Sequence, residues 1–421
     1  MASNRFSIFF STFKFSSFNF SFCKFSIGKQ LVAIFVLMLM VAASASAGET
    51  ILHNFNAGDG SYPYGGLVAD SAGNLYGTTT MGGVYYEGTV FELLPKPKGG
   101  WAEKVIYSFN SNGIDGTQPS CSLVFDKAGN LYGTTNSGGK YGMGTVFELT
   151  PRVGRSWKET ILYNFRSPRD GQAPVGGVVF DASGNLYGTT TKGGLHSHGI
   201  VFQLKPTAKG PWTETILHDF NSLDGNRPYA ALIIDASGNL YGTTELGGDN
   251  DEGTLFEVSP QGAGQWNESV LYNFDDGNSV GAYPYASLIL DKAGNLYGTT
   301  WGTLNNSGSA FQLSPQGGGQ WTVTALPGGG NTNGGVVMDA AGNLYGTVNG
   351  GIDGWPIGWV FELSPKQGGG WVNTVLHEFS QDGRDGYNPL SNLILDKANN
   401  VYGVTYQGGS NDTGIVFKIT H

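Results

Sequence analysis

Cysteine is nearly missing from this chain: Cys23 and Cys121 are the only two in 421 residues. Once the leader described below is removed, Cys121 stands alone, so no intramolecular disulfide can staple the fold. Charge is sparse as well, at 13% of residues, with 33 acids against 23 bases. A net −10 argues against partners that present phosphate, so neither nucleic acid nor an anionic membrane is expected. No stretch places apolar residues at helical spacing, which excludes a helical bundle. The nucleophile elbow, the phosphate loop and the zinc-protease helix are all missing. The acidic loop "GGDNDEG", with Asp249, Asp251 and Glu252, lacks the spacing of an EF-hand.

The first 47 residues differ from the rest. Arg5, Lys14, Lys24 and Lys29 precede the apolar run "LVAIFVLMLMVAA", and "SASA" follows it. A basic start, a short apolar core and a small-x-small site predict a signal peptide, residues 1–47, cleaved after Ala47. The apolar run is short for a membrane span, which needs about 20 residues. We therefore expect no membrane insertion once the leader is gone, and a secreted product, extracellular or periplasmic.

Glycine is abundant, at 68 residues, without a Gly-x-y period. The phrase "DxxGNLYGTT", or a worn version of it, starts at Asp70, Asp126, Asp181, Asp235, Asp291, Asp339 and Asp396. Recurrence at 48 to 57 residues signals a repeat architecture. Each unit holds four short β-type runs, exemplified by "GGLVAD", "NLYGTT", "GTVFEL" and "WKETILYNF". The last unit has no fourth run, yet "ETILHNF" at Glu49–Phe55 is an orphan fourth run before any first one. That offset has a use in a ring, where the N-terminal strand completes the final sheet, and none in an open solenoid. Residues 48–421 are thus expected to form one all-β, seven-bladed β-propeller of four-stranded antiparallel blades. Burying Ile51, Leu52 and Phe55 is worth roughly 1.5–3 kcal/mol each, so closure should matter to stability.

"DxxGN" joins the first run to the second as a tight turn. Aspartate can accept hydrogen bonds from the backbone two residues on, and glycine supplies a left-handed residue. In the last unit that glycine is Asn399, the residue next most at ease there. The seven aspartates therefore read as turn caps rather than catalytic acids, since an active site needs unlike groups converging. A second aspartate, eleven residues earlier, recurs in "DGxxP" as Asp59, Asp115, Asp170, Asp224 and Asp385. Units five and six have Val280 and Gly328 instead. As a partial ring of carboxylates these five are candidates for attracting a cation; as Asp-Gly turns before proline they need no ligand.

The phrases "GNLYGTT", "GTVFEL" and "W.E..LY.F", with a double glycine after the first, resemble the Gloeo-Verruco (GloVer) tandem repeat. The likeness covers nearly all of residues 49–421. It implies an exported protein and brings no catalytic residues to these positions. No sorting anchor follows the final strand, which leads us to expect release. A fainter analogy links the double glycine and tryptophan to kelch-type propellers.

Departures between units are where a ligand site is sought. Six of the nine tryptophans open fourth runs; Trp301, Trp355 and Trp359 do not. Trp301 and Trp355 fall in loops between second and third runs of neighbouring units, where an exposed ring can stack on a sugar. They are the candidate ligand-binding residues, together with Asp59, Asp115, Asp170, Asp224 and Asp385. His196 and His198, in "GGLHSHG", are the weak metal candidates, because no further ligands are evident. No cofactor is expected, and a bound cation has no dedicated motif. The expected function is that of a secreted, non-catalytic binding protein for an extracellular glycan or surface protein. The alternative is a polysaccharide-acting hydrolase or lyase with its site in the central funnel, marked by unlike carboxylates a few ångströms apart.

Overall fold

The computed structural model describes residues 48–420, apart from 155, 209–210, 303–307, 329 and 351–356. Seven four-stranded antiparallel sheets make up the seven blades of a β-propeller. We name the strands A to D from the axis outward. In blade 1 they are Val68–Ala69, Leu75–Thr79, Thr89–Pro95 and Trp101–Ser108. Blade 7 takes Ile394–Leu395, Val401–Thr405 and Ile415–Thr420 from the C-terminal end, and its strand D is Gly48–Asn54. The register runs Gly48↔Thr420 to Asn54↔Ile415, so the ring closes as the orphan run implies.

Strand A pairs over only two or three residues, shorter than the six-residue aliphatic runs suggest. The reason is crowding at the axis. A Cβ at Gly65 would lie 2.1 Å from the Cys121 carbonyl oxygen, and one at Gly176 would lie 2.4 Å from that of Ala230. These backbones pack against the next blade instead of extending their own sheet. Cys121 is buried there and shares hydrogen bonds with the Thr134 backbone.

Each blade has the same cross-strand pair at its centre. Gly77 of strand B faces Phe91 of strand C, whose ring fills the space a side chain at Gly77 would need. The glycine of "LYGTT" is thus demanded by its aromatic partner. Blades meet through a second ring: Phe109, at the end of one strand D, packs edge-on at 5.2 Å against Phe147 of the next blade. Phe55, Phe165, Phe220, Phe274 and Phe379 do the same at the other junctions where the ring recurs. Between blades 5 and 6 Leu326 packs there. The tryptophans that open strand D fill the gaps at the wide outer end, as Trp157 does against Tyr76 of the preceding blade.

Candidate functional site

The repeated phrase is a turn cap in all seven copies. Asp70 Oδ1 accepts from the N–H groups of Ala72 and Asn74, and Oδ2 from the Asn74 amide and the Tyr76 hydroxyl. Gly73 has φ 84°, and Asn399 takes the equivalent left-handed conformation at φ 60°. The tyrosine contact is invisible in the turn motif alone, because it reaches back from strand B. Burial pushes the carboxyls of Asp126, Asp181, Asp291 and Asp396 up. Hydrogen bonds from the following asparagine, backbone and tyrosine outweigh it and hold all four below the ordinary value.

The five "DGxxP" aspartates do not meet at the axis. Each lies in its own junction between adjacent strands D. Tyr107 of blade 1 donates to Asp115 at 2.9 Å, and its hydroxyl also contacts Glu159 of blade 2 at 3.1 Å. Tyr163 links Asp170 and Glu214 in the same way, with Arg166 added on Asp170. In the other three junctions histidine replaces tyrosine, giving His53–Asp59–Glu103, His218–Asp224–Glu268 and His377–Asp385–Glu49. A β-bulge in strand D, at Ile106 in blade 1 and Leu52 in blade 7, precedes the ring residue. Blade 5 lacks this bulge, and Val323 stands in its strand D where five of the other blades carry glutamate and blade 6 carries Asn373.

The electrostatics follow from burial. Glu159 and Glu214 are pushed up to about 8, first by burial and then by the aspartate beside each. Burial pushes the Asp170 carboxyl up, but hydrogen bonds from Glu214, Arg166 and Tyr163 outweigh it and hold it below the ordinary value, whereas at Asp115 burial outweighs the hydrogen bonds from Glu159 and Tyr107 and pushes it up. The sequence did carry a signal for these pairs. Asp59, Asp115, Asp170, Asp224 and Asp385 accompany Glu103, Glu159, Glu214, Glu268 and Glu49, while Val280 accompanies Val323 and Gly328 accompanies Asn373. Acid and acid vary together within one chain.

The mouth of the ring is built differently. The loops from strand D to the next strand A cross the face that also carries the B–C loops, as the bridge Ser61↔Met81 shows. In six of these loops the residue before proline is left-handed, with φ between 56° and 59°: Tyr62, Gln118, Ala173, Arg227, Tyr283 and Asn388. That conformation is unusual for any non-glycine residue and doubly so before proline. Two hydrogen bonds pin it. The Tyr62 N–H donates to Thr413 of the preceding blade, and its carbonyl accepts from Thr80 of its own. The residue after each proline then faces the axis: Tyr64, Ser120, Val175, Tyr229, Tyr285 and Leu390, with Asn333 in blade 6.

This ring and neighbours such as Gly65, Gly66 and Cys121 enclose a small axial cavity of about 50 Å³. Above it a cavity of about 520 Å³ opens, lined by Tyr64, Tyr229 and Tyr406 with Gln118, Asn136 and Thr80. The aromatic rings form two groups. Tyr62 and Tyr64 pack on Tyr406 at 5.1 and 6.3 Å; Tyr229 packs on Tyr285 at 5.5 Å, and Tyr285 meets Trp301 edge-on at 6.2 Å. The Tyr285 hydroxyl donates to Glu245, which also faces Arg227 at 3.5 Å. Trp301 is therefore half-buried at one end of an aromatic row. Trp355 lies outside the described residues.

His196 and His198 turn to different partners, Asp219 at 3.5 Å and Ser222 at 3.0 Å. Glu252 of the acidic loop lies with Asp275 and Asp276, two blade-junction residues, rather than with Asp249. No helix among the described residues is long and apolar enough to cross a membrane.

These features define a seven-bladed β-propeller with an aromatic mouth and titratable blade junctions. A family model for the Gloeobacter/Verrucomicrobia repeat matches residues 40–233 and 210–417, and the chain belongs to that family. Among solved structures it is similar to two of the extracellular domain of BT4673 from B. thetaiotaomicron. One has a TM-score of 0.55 at 13% identity, over 88% of this chain and 39% of the other. The second has a TM-score of 0.52 at 13% identity, over 89% and 40%. The chain thus spans about two fifths of those chains' length, and the likeness is one of fold. Comparison with curated proteins returned no match.

Proposed function

We propose that this is an exported, non-catalytic propeller that binds an extracellular glycan at its mouth. The observation that carries this reading is the 520 Å³ cavity lined by Tyr64, Tyr229 and Tyr406 beside the side-chain amides of Gln118 and Asn136. Its size falls within the roughly 300–1,000 Å³ usual for ligand pockets. Flat rings with adjacent amides suit sugars, which offer an apolar face and a rim of hydroxyls. Exposed Val84, Tyr85 and Tyr86 in the blade 1 B–C loop extend the surface on the same side. The basic start, apolar run and small-x-small site within residues 1–47, read as a leader, and the extracellular setting of the structural neighbours support export.

The polysaccharide-cleaving alternative needs unlike acids in the funnel. Clustered carboxylates do occur, in the five Asp–Glu blade junctions and at Glu252, Asp275 and Asp276, but none lines the mouth cavity among the described residues. The test is a glycan array with the purified chain, repeated with Tyr229→Ala, Tyr406→Ala and Trp301→Ala. The reading expects at least a tenfold loss for each tyrosine variant. Binding that survives all three changes overturns it, and so does release of new reducing ends from a bound glycan.

A further inference from the structure

The three histidine junctions differ from the two tyrosine junctions in one chemical respect. A phenol O–H can serve both acids beside it, and Tyr107 and Tyr163 do so. An imidazole Nε2 offers the same two acids either one proton or one lone pair. His53 Nε2 and His218 Nε2 are buried with no hydrogen-bond partner, whereas His377 Nε2 meets Asp385 at 3.3 Å. Glu49 Oε1, Glu103 Oε1 and Glu268 Oε1 are unpartnered as well, as are Glu159 Oε1 and Glu214 Oε1 in the tyrosine junctions, so it is the two histidine nitrogens that set their junctions apart. Unpartnered buried polar atoms on both sides of one small gap are costly unless something sits between them.

The gap has the dimensions of a metal site. In each cluster a histidine nitrogen and an oxygen from each of two carboxylates lie within 4.8 Å of one another. The His Nε2 to Asp Oδ2 distance is 3.3 Å in all three. His377 Nε2 to Glu49 Oε2 is 3.7 Å. Ligands about 2.0–2.1 Å from a tetrahedral zinc stand about 3.3 Å apart, so the imidazole–aspartate edge is already set in all three, Glu49 is close to its place, and Glu103 and Glu268, within 4.8 Å, must move further in. One neutral imidazole and two carboxylates balance a divalent charge. Nitrogen in the ligand set favours a first-row transition ion over calcium or magnesium. The aspartates are held from behind, Asp59 by Asn56 and Asp224 by Asn221, as metal-bound carboxylates usually are. The histidines keep 17–19% of their side-chain surface exposed, so each junction lies close to solvent, from which a water could serve as fourth ligand.

We propose that the junctions His53–Asp59–Glu103, His218–Asp224–Glu268 and His377–Asp385–Glu49 each bind one divalent transition-metal ion, Zn²⁺ by ligand type. The ion ties strand D of one blade to strand D of the next. The third site ties the two ends of the ring together, since Glu49 is N-terminal and His377 and Asp385 lie in the last two blades.

The scaffold supplies its own control. Tyrosine stands at the equivalent position in blades 1, 2 and 4, as Tyr107, Tyr163 and Tyr272, so His→Tyr is a change this fold already accommodates. The purified full chain is titrated with Co²⁺, read by its d–d absorption, and bound Zn²⁺ is counted by elemental analysis after dialysis. Three ions per chain are expected. His53→Tyr, His218→Tyr and His377→Tyr should each lose one, and the triple variant all three, while far-UV circular dichroism stays unchanged. A paired His196→Ala/His198→Ala variant should keep three. No ion bound by the natural chain, a triple variant that keeps its ions, or a count that falls with His196 and His198 would each overturn the proposal.

Discussion

Pro63 packs against Gly414, although the two stand near opposite ends of the described residues. A Cβ at Gly414 would lie 2.7 Å from Pro63 Cδ and 2.4 Å from the Thr405 carbonyl oxygen. The same contact recurs inside the chain, between Pro119 and Gly88, Pro174 and Gly144, and Pro228 and Gly199. The closing junction therefore uses the construction of the others.

Gly414→Ala should destabilise the ring more than an equivalent change in open space. Gly414 has φ 97° and no room, whereas Gly73 has φ 84° and nothing within 4 Å of its missing Cβ. Gly73→Ala carries only the left-handed backbone cost, about 1–2 kcal/mol. Gly414→Ala adds a clash and should exceed that by about 1–3 kcal/mol. Urea unfolding of the two variants gives the comparison, and equal losses would contradict the packing described.

The turn carboxylates predict a second loss. Asp181 accepts from two N–H groups, the Asn185 amide and the Tyr187 hydroxyl. Asp181→Ala leaves these donors without an acceptor and should cost about 1–3 kcal/mol in the same assay. Glycan binding should be unaffected, because this turn does not line the mouth cavity.

What was legible in the sequence is whatever repeats within a short span. The period, the four runs, the orphan strand Gly48–Asn54 and the left-handed Asn399 follow from local patterns and are all present in the fold. What was not legible depends on contacts between blades. Glu159 is 44 residues from Asp115, and only the joint loss of both acids elsewhere hints that they meet. Tyr62 and Arg227 are left-handed before proline because hydrogen bonds from two blades hold them so, against their local preference. Of the loop tryptophans, Trp301 proves to be the end of a tyrosine row that no single loop contains.

Stability should fall as pH rises from 5 to 8.5. Glu159, facing Tyr107 and Asp115, and Glu214, facing Tyr163, Asp170 and Arg166, have folded values of about 8 against an ordinary 4.5. Each takes up a proton on folding, so its contribution is complete below about 4.5 and is lost as pH rises through 8. Asp126, Asp181, Asp291 and Asp396 are held low and act in the opposite sense, their contribution being lost on acidification below the ordinary value of 3.8. Thermal unfolding should therefore show a maximum near pH 4–5. Glu159→Gln and Glu214→Gln together should flatten the alkaline side, and a midpoint that climbs towards pH 8 would contradict the assignment.

The junction between blades 5 and 6 should open first. It has Leu326 where the other junctions stack phenylalanines, and Gly328 and Asn373 where five of the other six pair acids. Amide exchange followed by mass spectrometry should show lower protection in Gln320–Leu326 than in Trp157–Asn164, which holds the same place in blade 2. Equal protection would mean that the phenylalanine and carboxyl contacts add little to the ring.

Cross-linking across the closing seam tests the ring most directly. Thr50 lies opposite Lys418 in the register of blade 7, and Glu148 stands at the place of Lys418 in blade 2. With Thr50→Cys and Lys418→Cys in one chain, mild oxidation should give a monomeric, internally bridged product that migrates faster on a denaturing gel. Thr50→Cys with Glu148→Cys should give none. A bridge in the second pair, or its failure in the first, would mean that the N-terminal strand does not complete the last blade.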